Sequence, residues 1–157
     1  MIFFTSKETK ILNNLTGFKI LKYEDLSKYF NFSSSHLSNI RLDIIENSFQ
    51  INKEIYFIEE FPLNLISKSR QGFTQENLLS LLNSILQSNN LQKINSLQEF
   101  NIEKLDKKTF QKIKEELPPI ILSILPDETI KLEDGNHRVA LFEYILKIDN
   151  IKAIVCK

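Results

Sequence analysis

Hydrophobic and polar positions change period several times along the chain, and each change marks an element. "EIYFIEEF", Glu54 to Phe61, is dense in β-branched and aromatic residues and meets Pro62, which predicts a strand ending before the proline. Thr74 is placed to cap a helix from Gln75 to about Gln87. Leu78, Leu82 and Ile85, with Leu79 and Leu86, form one broad apolar stripe there, and Glu76 sits in the first turn, where the helix dipole favours an acid. "QSNNLQKINSLQEFN" loses that period and reads as an irregular connection. Asp106 then caps a second helix that carries Phe110, Ile113 and Leu117 and is stopped by Pro118 and Pro119.

"PIILSIL", Pro119 to Leu125, is the continuous apolar run of a strand buried on both faces. "TIKLE" alternates Ile130 and Leu132 against polar neighbours, as a half-buried strand does, and the turn-like "PDE" between the two runs predicts a hairpin. Past Asp134 and Gly135 the period becomes helical. Val139, Phe142 and Leu146, with Leu141, Ile145 and Ile148, cover most of a helix circumference, so that helix is expected to be largely buried. "IKAIVC" closes the chain as a short strand. In the first fifty residues Leu26, Tyr29 and Phe30 predict a helix over "KYEDLSKYF", followed by a polar loop or cap in "NFSSSHLSN".

The composition limits what these elements can build. A chain of 157 residues, 42% of them hydrophobic, buries roughly 70% of its unfolded surface, enough for one core. Twenty basic and twenty acidic residues cancel, so no overall field draws the protein to nucleic acid or to an anionic membrane, and autonomous nucleic-acid binding is not expected. A single cysteine, Cys156, excludes an intramolecular disulfide and, with only two histidines, a Cys/His zinc site of the usual kind. A reducing, cytoplasmic setting is the expectation. "MIFFTSKETKILNN" lacks the basic leader and long apolar core of a signal peptide, and no later run reaches membrane-spanning length. His36 reads as a loop or capping residue and Cys156 as a small hydrophobe.

One stretch carries candidate chemistry. "DGNHR", Asp134 to Arg138, lies between a strand and a helix, where the first backbone N–H groups have no intrahelical partner and carry the positive end of the helix dipole. Anions bind at such places. Gly135 permits a sharp turn and a close approach to the backbone, while His137 and Arg138 add donors and positive charge. Asp134 beside a phosphate needs a cation between them, which suits it to hold Mg²⁺ or to act as a base for an attacking hydroxyl. The plainer reading of these five residues is a turn with a helix cap and a surface ion pair.

"PPIILSILPDETIKLEDGNHRVALFEYILKIDNIKAIVC" resembles the core of the ParB/sulfiredoxin superfamily: a "PPI" strand, a second strand, a "DGxHR" turn, an alanine-bearing helix and a closing strand. Upstream, "YFIEEFPLNLISKSRQGFTQENLLSLLNSIL" is similar to that superfamily's first strand, its proline- and arginine-bearing loop and its helix ending in Ser84-Ile85. The resemblance implies an α/β (α+β) fold with a small mixed sheet and packed helices over residues 51–157, a helical insertion at about 88–117, and an N-terminal extension, 1–50, packed on the core. Sulfiredoxins carry a catalytic cysteine where this chain has Asn136, which argues against that activity. Partition proteins use a different turn and a further helix-turn-helix domain. The "DGHHR" turn of the free-serine kinases is nearest to "DGNHR".

That likeness implies an ATP- or other nucleotide-binding phosphotransferase or ATPase dependent on Mg²⁺. Asp134 would lie at the metal or the transferred phosphoryl group, Gly135, Asn136, His137 and Arg138 would hold phosphate, and Glu59 or Glu60 would be a further catalytic group. Lys68 and Arg70 are candidates for a second phosphate contact, with a small molecule or a protein as acceptor. Two rival expectations stand beside it: a catalytically silent interaction module of antitoxin, immunity or transfer-inhibitor type, which keeps the scaffold and docks a protein through residues 1–50 and the inserted helix, and a DNA-processing nuclease.

Overall fold

The structure, a computed structural model, describes residues 17–21, 54–66, 72–125 and 129–157. The helix expected over "KYEDLSKYF", the loop holding His36, and Lys68 and Arg70 lie outside the described residues.

A small mixed sheet organises the fold. Strands β2 (Ile55–Pro62), β5 (Asn150–Cys156), β3 (Ile120–Ile124) and β4 (Ile130–Asp134) lie side by side in that order, and β1 (Gly17–Lys19) adds three residues at the β2 edge. All pairings are antiparallel except β3 with β5. Parallel neighbours need a crossover connection, and the chain makes it by running from β3 through the β4 hairpin and a helix into β5. The protein is therefore an α+β protein. The brevity of β1 left it without a readable period in the sequence, and β2 continues through Pro62, which pairs with Asn150 at the strand end, where a missing N–H costs least.

Among the described residues three helices pack on this sheet: α1 (Gln75–Ser88), α2 (Lys107–Glu116) and α3, which starts as α-helix over Asn136–Ala140 and continues in π geometry over Leu141–Leu146. The Thr74 hydroxyl accepts from Asn77 N–H at 3.1 Å, and the Asp106 carboxylate accepts from Thr109 N–H at 2.6 Å, so both expected caps are formed. Lys147, at φ 53°, takes the left-handed conformation that ends α3, and the Phe142 carbonyl accepts from both Lys147 and Ile148 N–H.

Alternate strand residues, including Tyr56, Ile58, Ile120, Leu122, Ala153 and Val155, join one cluster with Leu78, Leu82 and Ile85 of α1, Ile113 of α2 and Val139 and Phe142 of α3. The intervening Ile55, Phe57, Ile121, Ile154 and Cys156 are buried too, as expected of strands covered on both faces. Among the described residues no helix is long and apolar enough to cross a membrane.

The connection between α1 and α2 forms two short 3₁₀ turns, Leu97–Glu99 and Ile102–Lys104, held by a side chain that the apolar stripe of α1 conceals. Asn83, only 6% exposed, donates to the Ile94 carbonyl and accepts from the Ile94 N–H, both at 2.9 Å. It serves that loop residue as a neighbouring strand would, satisfying both backbone groups at once. Replacing it strands a donor and an acceptor together. Asn83→Ala should cost about 1–3 kcal/mol in chemical denaturation, while exposed Gln87→Ala on the same helix should be close to neutral.

Candidate functional site

The end of β4 and the start of α3 form one wall of a cleft of about 520 Å³, and α1 forms the facing wall. On β4, Leu122 pairs with Leu132 but Ile121 pairs with Asp134, so Glu133 is an extra residue in the hairpin. Such a bulge breaks the strict alternation of side chains, and the consecutive acids Glu133 and Asp134 both line the cleft. Glu133 has a counterion in Lys131 at 3.7 Å.

Gly135 turns the chain from strand to helix at φ 108° and ψ 20°. That conformation strains any L side chain, and a Cβ here would collide with the Ile120 side chain and sit 3.0 Å from the Arg138 guanidinium. The first helical bond runs from Val139 N–H to the Gly135 carbonyl at 2.9 Å. The N–H groups of Asn136 and His137 thus precede the helical ladder, and glycine has no side chain with which to cap them.

Arg138 turns inward. It is 5% exposed, and its guanidinium meets the Asp134 carboxylate at 3.2 Å across one helical turn. Burial pulls the guanidinium below its ordinary pKa, opposed by the charge of Asp134 and by its hydrogen bond. It stays cationic at neutral pH because an arginine starts so high. The two groups that the sequence marks as metal ligand and phosphate clamp are held against each other beneath the turn. Asn136 is also tied: its side-chain amide donates to the Gly72 carbonyl at 2.9 Å, fixing the segment that leads into α1. Phe73 adds a second link to α3 by packing against Tyr144, with ring centroids 5.5 Å apart.

The facing wall is polar. Asn77, Ser80 and Ser84, spaced three and four residues apart on one side of α1, line the cleft with Leu81 below them. Sequence reasoning singled out the apolar stripe of α1 and passed over this one, although the same helical spacing displays it. His137 lines the cleft as well.

Glu59 and Glu60 are not brought to this cleft. Both are exposed on β2, and β5 and β3 stand between β2 and β4; three strand spacings of about 4.8 Å each put the two strands roughly 14 Å apart. They line a different depression with Lys152. Among the described residues no group of three or more His, Cys, Asp or Glu side chains is placed to hold a metal ion. Mg²⁺ that arrives with a nucleotide takes most of its ligands from phosphate and water and needs one or two protein carboxylates. Asp134, with Glu133 beside it, fits that lesser requirement and does not make a resident metal site.

Comparison with family models, with curated proteins and with solved structures finds no match for this chain.

Three substitutions test the turn. Gly135→Ala should destabilise by about 2–4 kcal/mol, the sum of a strained backbone and an overpacked contact with Ile120. Asp134→Ala should cost about 2–4 kcal/mol by leaving Arg138 buried without its counterion, and adding Arg138→Met should recover most of that loss. Equilibrium denaturation of the two single variants and the double variant measures both effects.

Proposed function

We propose that the cleft beside Gly135 binds a nucleoside triphosphate and that the protein is a ParB/sulfiredoxin-like, Mg²⁺-dependent phosphotransferase or nucleotide hydrolase. The observation that carries this reading is the uncapped start of α3 facing a polar helix. Backbone N–H groups of Asn136 and His137, at the positive end of α3, suit a phosphate group. Gly135 removes the Cβ that would obstruct the approach, and Asn77, Ser80 and Ser84 offer hydrogen bonds to a sugar, a base or an acceptor hydroxyl. A volume of about 520 Å³ falls in the common range for ligand pockets, about 300–1,000 Å³.

Within this reading the roles differ from those that a sequence pattern assigns. His137 and the two backbone N–H groups hold phosphate. Arg138 acts from behind, holding the Asp134 carboxylate fixed in direction. Asp134 then positions the metal or accepts a proton from the attacking hydroxyl. Mg²⁺ bound with the nucleotide supplies charge neutralisation of the phosphates. Glu59 and Glu60 stand apart from the reaction.

A second reading has its own observation. Because Asp134 and Arg138 neutralise each other, the turn can equally serve as an internal clamp of a catalytically silent interaction module.

Calorimetric titration with ATP, ADP and CTP, each with and without Mg²⁺, separates the two. Saturable binding is expected for the triphosphate with Mg²⁺, and His137→Ala should weaken it about tenfold, the equivalent of about 1.4 kcal/mol. Asp134→Asn should retain binding and lose turnover. No heat with any nucleotide at millimolar concentration would leave the clamp as the better account.

A further inference from the structure

Among the described residues β4 is the outermost strand of the sheet on the side of the cleft, and the phase of its hairpin settles which backbone groups face outward. The Leu125 N–H donates to the Thr129 carbonyl at 2.9 Å, so those two residues form a hydrogen-bonded pair. Bonded and non-bonded pairs alternate along an antiparallel ladder. Ser123 with Lys131 is therefore bonded, while Ile124 with Ile130 and Leu122 with Leu132 are not. The N–H and carbonyl groups of Ile130 and Leu132 point away from β3.

Among the described residues none bonds to these four groups, since β4 has β3 as its one neighbour. Leu132 is only 7% exposed and lines the cleft of about 520 Å³, so its donor and acceptor open into the cleft rather than onto a bare surface. Backbone groups enclosed in this way call for a partner. The pairs at Ile130 and Leu132 lie two residues apart, about 6.8 Å along the strand. A second strand presents its own donors and acceptors at that repeat, whereas a nucleobase reaches one pair alone.

We propose that β4 takes an extended peptide as a further antiparallel strand, with apolar, acidic and apolar side chains opposite Leu132, Lys131 and Ile130. Residues opposite each other across a ladder share a face. Leu132 and Ile130 belong to the apolar cluster, and Leu81, Leu117 and Pro118 line the same cleft, so the peptide residues beside them are apolar. The residue between falls on the other face, next to Lys131. That side chain is 56% exposed and 3.7 Å from Glu133, a loose surface contact that leaves the ammonium open to a second carboxylate. Strand addition of this kind takes its affinity from the main chain and its selectivity from alternate side chains. The peptide pairs upstream of the turn at Gly135, so this site goes beyond the nucleotide reading and does not rest on it.

The test titrates the full chain, without nucleotide, with acetyl-Thr-Val-Glu-Val-Thr-amide and follows calorimetric heat and amide chemical shifts. Saturable binding is expected, with the largest shifts at Ile130 and Leu132. N-methylation of both valines removes the donors that meet the Leu132 and Ile130 carbonyls and should weaken binding about tenfold or more. N-methylation of the glutamate, whose N–H faces away from β4, should change it by less than about twofold. Lys131→Glu should shift the preference by about threefold towards the peptide with lysine in place of glutamate. No binding at millimolar peptide, shifts centred elsewhere, equal losses from the two methylation patterns, or an unchanged charge preference in the Lys131→Glu chain overturns the proposal and leaves β4 as a solvated edge.

Discussion

The left-handed turn at Gly135 is the constraint on which the rest of the site depends. A Cβ at this position would meet the buried Ile120 at the start of β3, so the turn lies directly on the core and cannot shift without disturbing that strand. From there each consequence is local. The helix starts one residue later, Arg138 falls one turn along on the inner side, and Asp134 at the strand end lies within 3.2 Å of it. A buried guanidinium needs that carboxylate far more than a surface pair would. Neither group is left over to move freely, and what the turn presents to the cleft is its backbone, His137 and the Asp134 carboxylate held in place by Arg138.

The opposite wall is held to this turn by contacts distant in sequence. Asn136 reaches Gly72, and Phe73 reaches Tyr144, so the entry to α1 is tied to α3 from both residues of a short segment. Asn83 fixes Ile94 in the connection that follows α1. The polar stripe of α1 therefore faces the turn with the entry to its helix anchored by the Asn136 amide. That arrangement suits a preformed cleft, in which little ordering is left for a ligand to drive.

Much of the fold was legible because period and punctuation agreed. The apolar run from Ile120 to Ile124, the caps at Thr74 and Asp106 and the stop at Pro118 each rest on local chemistry that no distant contact overrides. The site was legible only in part. "DGNHR" announces a turn between strand and helix, but burial of Arg138 depends on where the sheet lies. Bulges hid the rest: the extra Glu133 turns two successive acids towards one cleft, and the pair Glu59 and Glu60 faces away from it. A two-residue period cannot foresee either. Asn83 sits within an apolar stripe, and its partner, Ile94, lies in a stretch with no period at all.

The central claim is that the backbone at the start of α3, facing the polar side of α1, is a phosphate-binding wall. Amide chemical shifts recorded during a titration with Mg²⁺ and ATP test it most directly. The account predicts saturable shifts concentrated at Gly135, Asn136 and His137, with smaller ones at Ser80 and Ser84. Shifts confined to other parts of the sheet, or none at saturating nucleotide, would contradict it.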